Sequence, residues 1–306
     1  MIIAIDDNGK SWSWGYGQYG ELGDGTTSPR QIPVAICGNH TFCQILYSHG
    51  SVISLNNYGQ AWGWGYNRYG QLGLGDTNNK CVPTLIENHT FCQIYMDGVI
   101  VYGIDNHNKT WGWGYNYSGI IGVGENYDTY TPVEICGNHT FCKIYLNRGS
   151  TYAIDNNGKA WGWGYNYNGE LGNGTLDNVF NEPFEIHGNH IVNKIYIFMN
   201  INKFGRSYFM TDNEGITWAW GNNEGGSLGI GESEEYIITP VKMFGNHLFN
   251  NIYSDESNFL IGIDDNNNAW SWGNSSGGII KGQQPTYYGQ LGYLPYDSTP
   301  VKINIG

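Results

Sequence analysis

Positive charge is the scarcest material in this chain. Its 306 residues carry 14 Lys and Arg against 27 Asp and Glu, a formal net charge of −13. Binding a phosphate backbone needs cations that displace its counterions, and no Lys/Arg-rich tail or stripe is present to supply them. Direct nucleic-acid binding is therefore not expected. Charged residues of both signs make up only 13% of the chain while aromatics make up 15%, which is poor in material for exposed helices and rich in packing material. No apolar run approaches the ~20 residues of a membrane span, and Met1-Ile2-Ile3-Ala4-Ile5-Asp6 is too short for the apolar core of a secretion signal. A protein without a membrane span is expected, cytoplasmic by default or part of a particle. A phosphate-cradling Gly-x4-Gly-Lys-Ser/Thr is also missing, and no His/Asp/Glu set stands apart from the repeat described next. Neither side-chain catalysis nor a cofactor is expected.

What the chain does have is tryptophan in pairs. Trp-x-Trp-Gly occurs at residues 12–15, 62–65, 111–114, 161–164, 218–221 and 270–273, and accounts for all 12 tryptophans. The second tryptophans are 50, 49, 50, 57 and 52 residues apart, a period that indicates one supersecondary unit per repeat in a solenoid or propeller. Six repeats of about fifty residues use the whole chain, so residues 1–306 read as a single domain. Within one repeat, Phe141-Cys-Lys-Ile-Tyr-Leu146 and Ser150-Thr-Tyr-Ala-Ile154 alternate as two short strands. Asp155-Asn-Asn-Gly158 supplies a hairpin turn into a third strand, Lys159 to Trp163. A Gly/Asn-rich loop then leads to Pro183-Phe-Glu-Ile186, read as an edge strand. Alternation puts Trp161 and Trp163 on one face and Gly162 on the other, where a thin residue lets a neighbouring sheet approach. Four antiparallel strands make a propeller blade. The fold expected is all-β, a β-propeller of six four-stranded repeats.

The stretch Trp64 to Gly73, Trp-Gly-Tyr-Asn-Arg-Tyr-Gly-Gln-Leu-Gly, and its near copy at Trp14 to Gly23 resemble the regulator of chromosome condensation repeat. Later copies degrade to Trp220-Gly-Asn-Asn-Glu-Gly-Gly-Ser-Leu-Gly229 and, after an insertion, Tyr288-Gly-Gln-Leu-Gly292. The resemblance implies a propeller, usually of seven blades, whose members include exchange factors for Ran-type small GTPases, a β-lactamase inhibitor and many interaction modules. Six copies depart from that number, and no exchange wedge maps onto a motif here. The chain opens at Ile2-Ile3-Ala4-Ile5-Asp6, the second strand of a blade, so the first blade is expected to have three strands. Its edge would be a seam or would take a partner's strand.

Cys37-Gly-Asn-His-Thr-Phe-Cys43 and Cys136-Gly-Asn-His-Thr-Phe-Cys142 are near copies, while Cys92 has Cys81 as its one available mate. Three local disulfides are arithmetically allowed, reduced thiols are the default without a secretion signal, and zinc is disfavoured because His190 and His247 persist where the cysteines are gone. The Asp-rich turns at Asp6, Asp105, Asp155, Asp212 and Asp264 lack calcium-loop order and read as hairpins that form an acidic rim. Asn39, Asn88 and Asn138 head glycosylation sequons with no visible secretory route.

Tyr16, Tyr66, Tyr115 and Tyr165 follow Trp-Gly in the first four repeats. Packing on the next blade and exposure for binding both remain open for them. Function is sought where repeats differ, in Thr175 to Glu182, in the excursion containing Phe198, Lys203 and Arg206, and in the insertion carrying Lys281, Tyr287 and Tyr288. The sequence is thus read as a non-enzymatic protein-binding scaffold. Nucleotide exchange on a small GTPase is the alternative, and a structural component of a virion or other large assembly is the third reading.

Overall fold

The computed structural model describes every residue except 148, 178, 200–205, 232–233, 246, 255–258, 275–295 and 304–306. By its contacts the chain divides into two compact units. One comprises residues 1–153 with 179–183, the other residues 154–178 with 184–306.

The strands follow the period of the tryptophan pairs. The first sheet has three, β1 (Ile2–Ile5), β2 (Ser11–Gly15) and β3 (Arg30–Ala35). The second runs β4 (Phe42–Ser48), β5 (Ser51–Asn56), β6 (Ala61–Gly65) and β7 (Lys80–Leu85), and the third β8 (Phe91–Asp97), β9 (Ile100–Asp105), β10 (Thr110–Gly114) and β11 (Thr129–Glu134). The fourth is β12 (Phe141–Asn147), β13 (Ser150–Asp155), β14 (Ala160–Tyr165) and β15 (Val179–Glu185). The fifth is β16 (Val192–Met199), β17 (Arg206–Asp212), β18 (Thr217–Asn222) and β19 (Tyr236–Lys242). The sixth is β20 (Phe249–Ser254), β21 (Phe259–Asp264), β22 (Ala269–Asn274) and β23 (Tyr296–Lys302). Each sheet is an antiparallel meander, and the six together match a six-bladed propeller.

The first sheet has three strands among the described residues, as the sequence predicts. Ile303 donates its N–H to Ala269 O at 2.8 Å within its own sheet, and residues 304–306, the remainder of the segment that could close the ring, lie outside the described residues.

The fourth strand of the repeat starts earlier than its proline suggests. It covers Val179–Glu185 rather than starting at Pro183, and β7 likewise carries Pro83 inside it. The reason is a bulge. Gly63 pairs with Thr84 and Gly65 with Lys80, so the residues between slip out of register, and a proline that cannot donate is tolerated there.

Tryptophan and glycine do occupy opposite faces, but the use of the glycine face differs from the expectation. Trp64, Trp113, Trp163, Trp220 and Trp272 are fully buried. In the first unit Trp64 packs with Ile36, Phe42 and Val52, joining the first and second sheets. Behind it, the room left by Gly63 is taken by Leu72 of the same repeat, because a Cβ there would lie 2.6 Å from Leu72 O. Leu72 then packs in one cluster with Phe91 and Trp113 of the third sheet. The loop of a repeat, not the neighbouring sheet directly, is what the thin residue admits.

The indole of the second tryptophan also ties repeats together. Trp64 Nε1 donates to Glu21 O (2.8 Å) and Trp113 Nε1 to Gln71 O (3.0 Å). In the second unit Trp220 Nε1 donates to Glu170 O (2.7 Å) and Trp272 Nε1 to Ser227 O (3.0 Å). In all four a buried N–H is satisfied by the loop of the preceding repeat, which removes the penalty for an orphaned donor.

Candidate functional site

The two ends of a sheet are built differently. At the end where the second and third strands meet, the hairpin aspartates are consumed locally. Asp105 Oδ1 accepts the N–H groups of His107 (2.8 Å) and Lys109 (2.9 Å), while Oδ2 accepts Trp111 Nε1 at 3.1 Å. Asp6, Asp155, Asp212 and Asp264 repeat the arrangement with Trp12, Trp161, Trp218 and Trp270. For Asp264 burial works against the charge, yet hydrogen bonds from Asn268, Trp270 and the Asn266 backbone outweigh it and hold the carboxyl at about 2. These carboxylates are turn-forming groups.

The histidine of each Gly-Asn-His turn belongs to the same end. Gly38 (φ 99°) and Asn39 (φ 50°) both take left-handed backbone, and a Cβ at Gly38 would run into the His40 ring. That folds the imidazole back onto Trp62, with ring centroids 3.9 Å apart. His190 and His247 lie tilted against Trp218 and Trp270 at 4.0 and 3.9 Å, and His89, in the turn Glu87-Asn88-His89, meets Trp111 edge-on at 4.4 Å. Among the described residues no group of three His, Cys, Asp or Glu side chains is placed to hold a metal ion.

No disulfide joins Cys37 to Cys43, Cys81 to Cys92, or Cys136 to Cys142 in the structure. Cys43 Sγ donates to Leu55 O at 3.3 Å, and Cys92 Sγ to Ile104 O (3.2 Å) and Asp105 O (3.3 Å). Where the second unit has asparagine instead, Asn193 Nδ2 donates to Asp212 O at 3.0 Å and Asn250 Nδ2 to Asp264 O at 3.4 Å. The thiol and the amide do one job, donation into the bulge at the start of the first strand. Burial pushes the Cys136 thiol up, with Glu182 and Glu125 adding to it.

The opposite end carries the tyrosines. In the second repeat the loop after β6 is fixed at its base by Asn67, fully buried. Its Oδ1 accepts Leu72 N–H (2.9 Å) and its Nδ2 donates to Asp76 O (2.8 Å). Asn116 does the same in the third repeat, through Ile121 N–H (3.0 Å) and Glu125 O (2.8 Å). On these bases the rings form a continuous row in the first unit. Tyr19 and Tyr66 have centroids 4.8 Å apart, Tyr66 and Tyr69 6.5 Å, Tyr69 and Tyr115 5.1 Å, and Tyr115 and Tyr117 6.3 Å. Gly50 (φ 83°) lies under the first pair, where a Cβ would be 2.9 Å from the Tyr19 ring. Arg68 sets its guanidinium over Tyr69 at 5.9 Å.

The row joins Tyr66 and Tyr115, two residues singled out from the sequence, and adds Tyr19, Tyr69 and Tyr117, which that reading missed. The signal was there as a second tyrosine two or three residues after the first. Tyr16 is 71% exposed and has no ring partner among the described residues. Tyr165 in the second unit meets Tyr167 at 5.5 Å. Phe198 is half-buried between Tyr196 (6.4 Å) and Phe209 (5.9 Å), and so serves packing on its own sheet. Arg206 begins β17. Lys203, Lys281, Tyr287 and Tyr288 lie outside the described residues.

Gly225-Gly-Ser-Leu-Gly229 has the spacing of a hydrolase nucleophile elbow, but Ser227 is fully buried and donates to Asn222 O at 2.8 Å. Among the described residues no helix is long and apolar enough to cross a membrane.

Residues 8–53 and 58–94 match the family model of the Regulator of chromosome condensation (RCC1) repeat, and the fold of the chain is RCC1-like. The fold is similar to human WBSCR16, with a TM-score of 0.66, 16% identity, and coverage of 96% of this chain and 76% of that one. It is also similar to Prp20p of Saccharomyces cerevisiae, with a TM-score of 0.64, 17% identity, and coverage of 99% and 74%. Yeast RCC1 (Prp20) in complex with Kap60 gives a TM-score of 0.66 at 17% identity, covering 99% and 72%. These identities support likeness of fold. No curated protein matches the chain.

Proposed function

We propose that this chain is a non-enzymatic scaffold that binds a protein partner through the tyrosine row on the loops of its first unit. The observation that carries the reading is the row itself. Five rings from three successive repeats touch in sequence, with Tyr19 37% and Tyr117 70% exposed at its two ends. Tyrosine offers large contact area at low rotamer cost and a polar tip, which is why it is enriched where proteins meet.

Nucleotide exchange on a small GTPase is the second reading. It draws on the fold shared with Prp20p, which binds Gsp1p and histones, and fold likeness alone does not carry function. Incorporation into a larger assembly is the third.

The test places a photo-crosslinking amino acid at Tyr66 and, as control, at Tyr58 on the opposite end, where the ring is 85% exposed, in cells that make the protein. A protein crosslinked in fixed stoichiometry from position 66 and not from 58 supports the scaffold. Equal crosslinking from both positions overturns it. Accelerated nucleotide release from a small GTPase at catalytic protein concentration would replace it with the exchange reading.

A further inference from the structure

Resting on the scaffold reading, we infer that the segment which docks on the tyrosine row is basic, an extended stretch of polypeptide that lays Arg or Lys side chains over the rings. Three observations lead there. The first is charge. The row's three loops, residues 16–29, 66–79 and 115–128, hold five carboxylates, Glu21, Asp24, Asp76, Glu125 and Asp128, against Arg68 alone. Asp24 and Asp76 are neutralised by Arg30 (2.7 Å) and Lys80 (2.8 Å), which flank the loops. Glu21, Glu125 and Asp128 are left over, on a chain whose formal net charge is −13. Such a field draws cations and repels anions.

The second is the position of Glu21. It is buried, and its Oε2 accepts the backbone N–H of Tyr19, the first ring of the row, at 2.7 Å. A carboxylate held at the backbone of Tyr19, whose ring is 37% exposed, adds to the negative potential at the start of the row, and ring quadrupole and carboxylate both favour a cation there.

The third is that the row already holds one such group. Arg68 projects from the middle loop and lies over Tyr69. The surface therefore shows, with its own side chain, the contact it makes with a guanidinium, and Arg68 competes with an incoming one for the same ring. A single-stranded nucleic acid could stack bases on tyrosines, but its phosphates would face the leftover carboxylates.

The probe is a fluorescein-labelled peptide of alternating Arg and Ser, titrated with the full chain at low and moderate salt. An alternating Asp and Ser peptide and an oligothymidine serve as comparison probes. The Arg peptide is expected to bind, and Tyr66→Leu with Tyr115→Leu to weaken it about tenfold, the size of a lost cation–π contact. Tyr66→Phe with Tyr115→Phe, which keeps the ring faces, should retain binding, as should Tyr58→Leu on the opposite end. Arg68→Ala should strengthen binding, since it vacates Tyr69 and removes a repelling charge. Overturning results are a Leu variant that melts like wild type and binds the Arg peptide undiminished, weakened binding by Arg68→Ala, or preference for the Asp peptide or oligothymidine. If position 66 crosslinks to a partner through a neutral or acidic segment, the scaffold reading stands and this inference fails.

Discussion

The indole Nε1 of Trp62 has no acceptor, because Asn56 stands where the other five repeats place the aspartate that receives it. Asn56 Oδ1 still closes the turn by accepting the N–H groups of Tyr58 and Gln60, both at 3.0 Å, but its Nδ2 points to Gln60 Oε1 instead. One buried donor is left unpaired. Asn56→Asp should supply the acceptor and stabilise the chain by about 1–2 kcal/mol, the range for satisfying a buried donor with a charged partner. A urea midpoint that does not rise, at unchanged slope, would count against this account.

Gly73 and Gly75 both hold left-handed backbone, at φ 73° and 80°, but only one of them faces an obstacle. A Cβ at Gly73 would lie 2.9 Å from Trp113 Nε1, whereas at Gly75 the nearest atom is Thr131 Cγ2 at 3.6 Å. Gly75→Ala should cost about 1–2 kcal/mol for the backbone alone. Gly73→Ala should cost a further ~1–3 kcal/mol for overpacking, because it also pushes the indole off Gln71 O. Equal losses in chemical denaturation would show that the indole contact does not constrain this loop.

Acidification should destabilise the fold in two stages. Burial lowers the pKa of His40, His89, His190 and His247 below the usual 6.5, and Asp105, Asp212 and Asp264 only partly oppose this at the last three. A histidine held neutral in the fold binds its proton first in the unfolded chain, so its contribution is complete above 6.5 and is lost as pH falls through the folded value. Asp264, held at about 2 against 3.8, contributes stability above 3.8 that fades as pH approaches 2. Urea midpoints should therefore fall as pH drops below 6.5, and replacing the four histidines with glutamine should flatten that limb. A midpoint that rises on acidification would contradict it.

Cys92 and Asn193 make the same donation to a turn carbonyl. Cys92→Asn should leave stability within about 0.5 kcal/mol of the parent, the range of a tolerated surface exchange, while Cys92→Ala should lose roughly 1 kcal/mol with the donor. Thermal melts with and without reductant should also coincide, since no disulfide is present to break. A reductant-sensitive melt would reinstate the disulfides.

Much of this architecture can be read from residue order, because Trp-x-Trp-Gly marks the third strand and the Asp turns mark the hairpin before it. The strand containing Pro183 is harder to place, since the bulge seen opposite Gly63 and Gly65 in the second sheet depends on pairing between strands. Leu72 is hidden as the filler behind Gly63 for a similar reason, as its role depends on a loop that folds back on its own sheet. Tyr66 and Tyr115 stand out by repetition, but Tyr19, Tyr69 and Tyr117 gain meaning only when adjacent repeats bring their rings within about 5–7 Å, the range of aromatic pairing.

The bond from a second tryptophan to the loop before it separates the part of that loop that must be kept from the part that can change. Gln71 is clamped from outside its own repeat by Trp113, while Tyr66, Arg68 and Tyr69 lie ahead of that clamp. Those three residues, unlike the buried Asn67 at the loop base, can be exchanged without loosening the anchor, so the surface of one blade can change while its neighbours keep theirs. Such a chain is suited to vary its surface one repeat at a time, and a library built on positions 16, 18, 19, 66, 68, 69, 115 and 117, which leaves Asn67 and Asn116 in place, would sample that freedom directly.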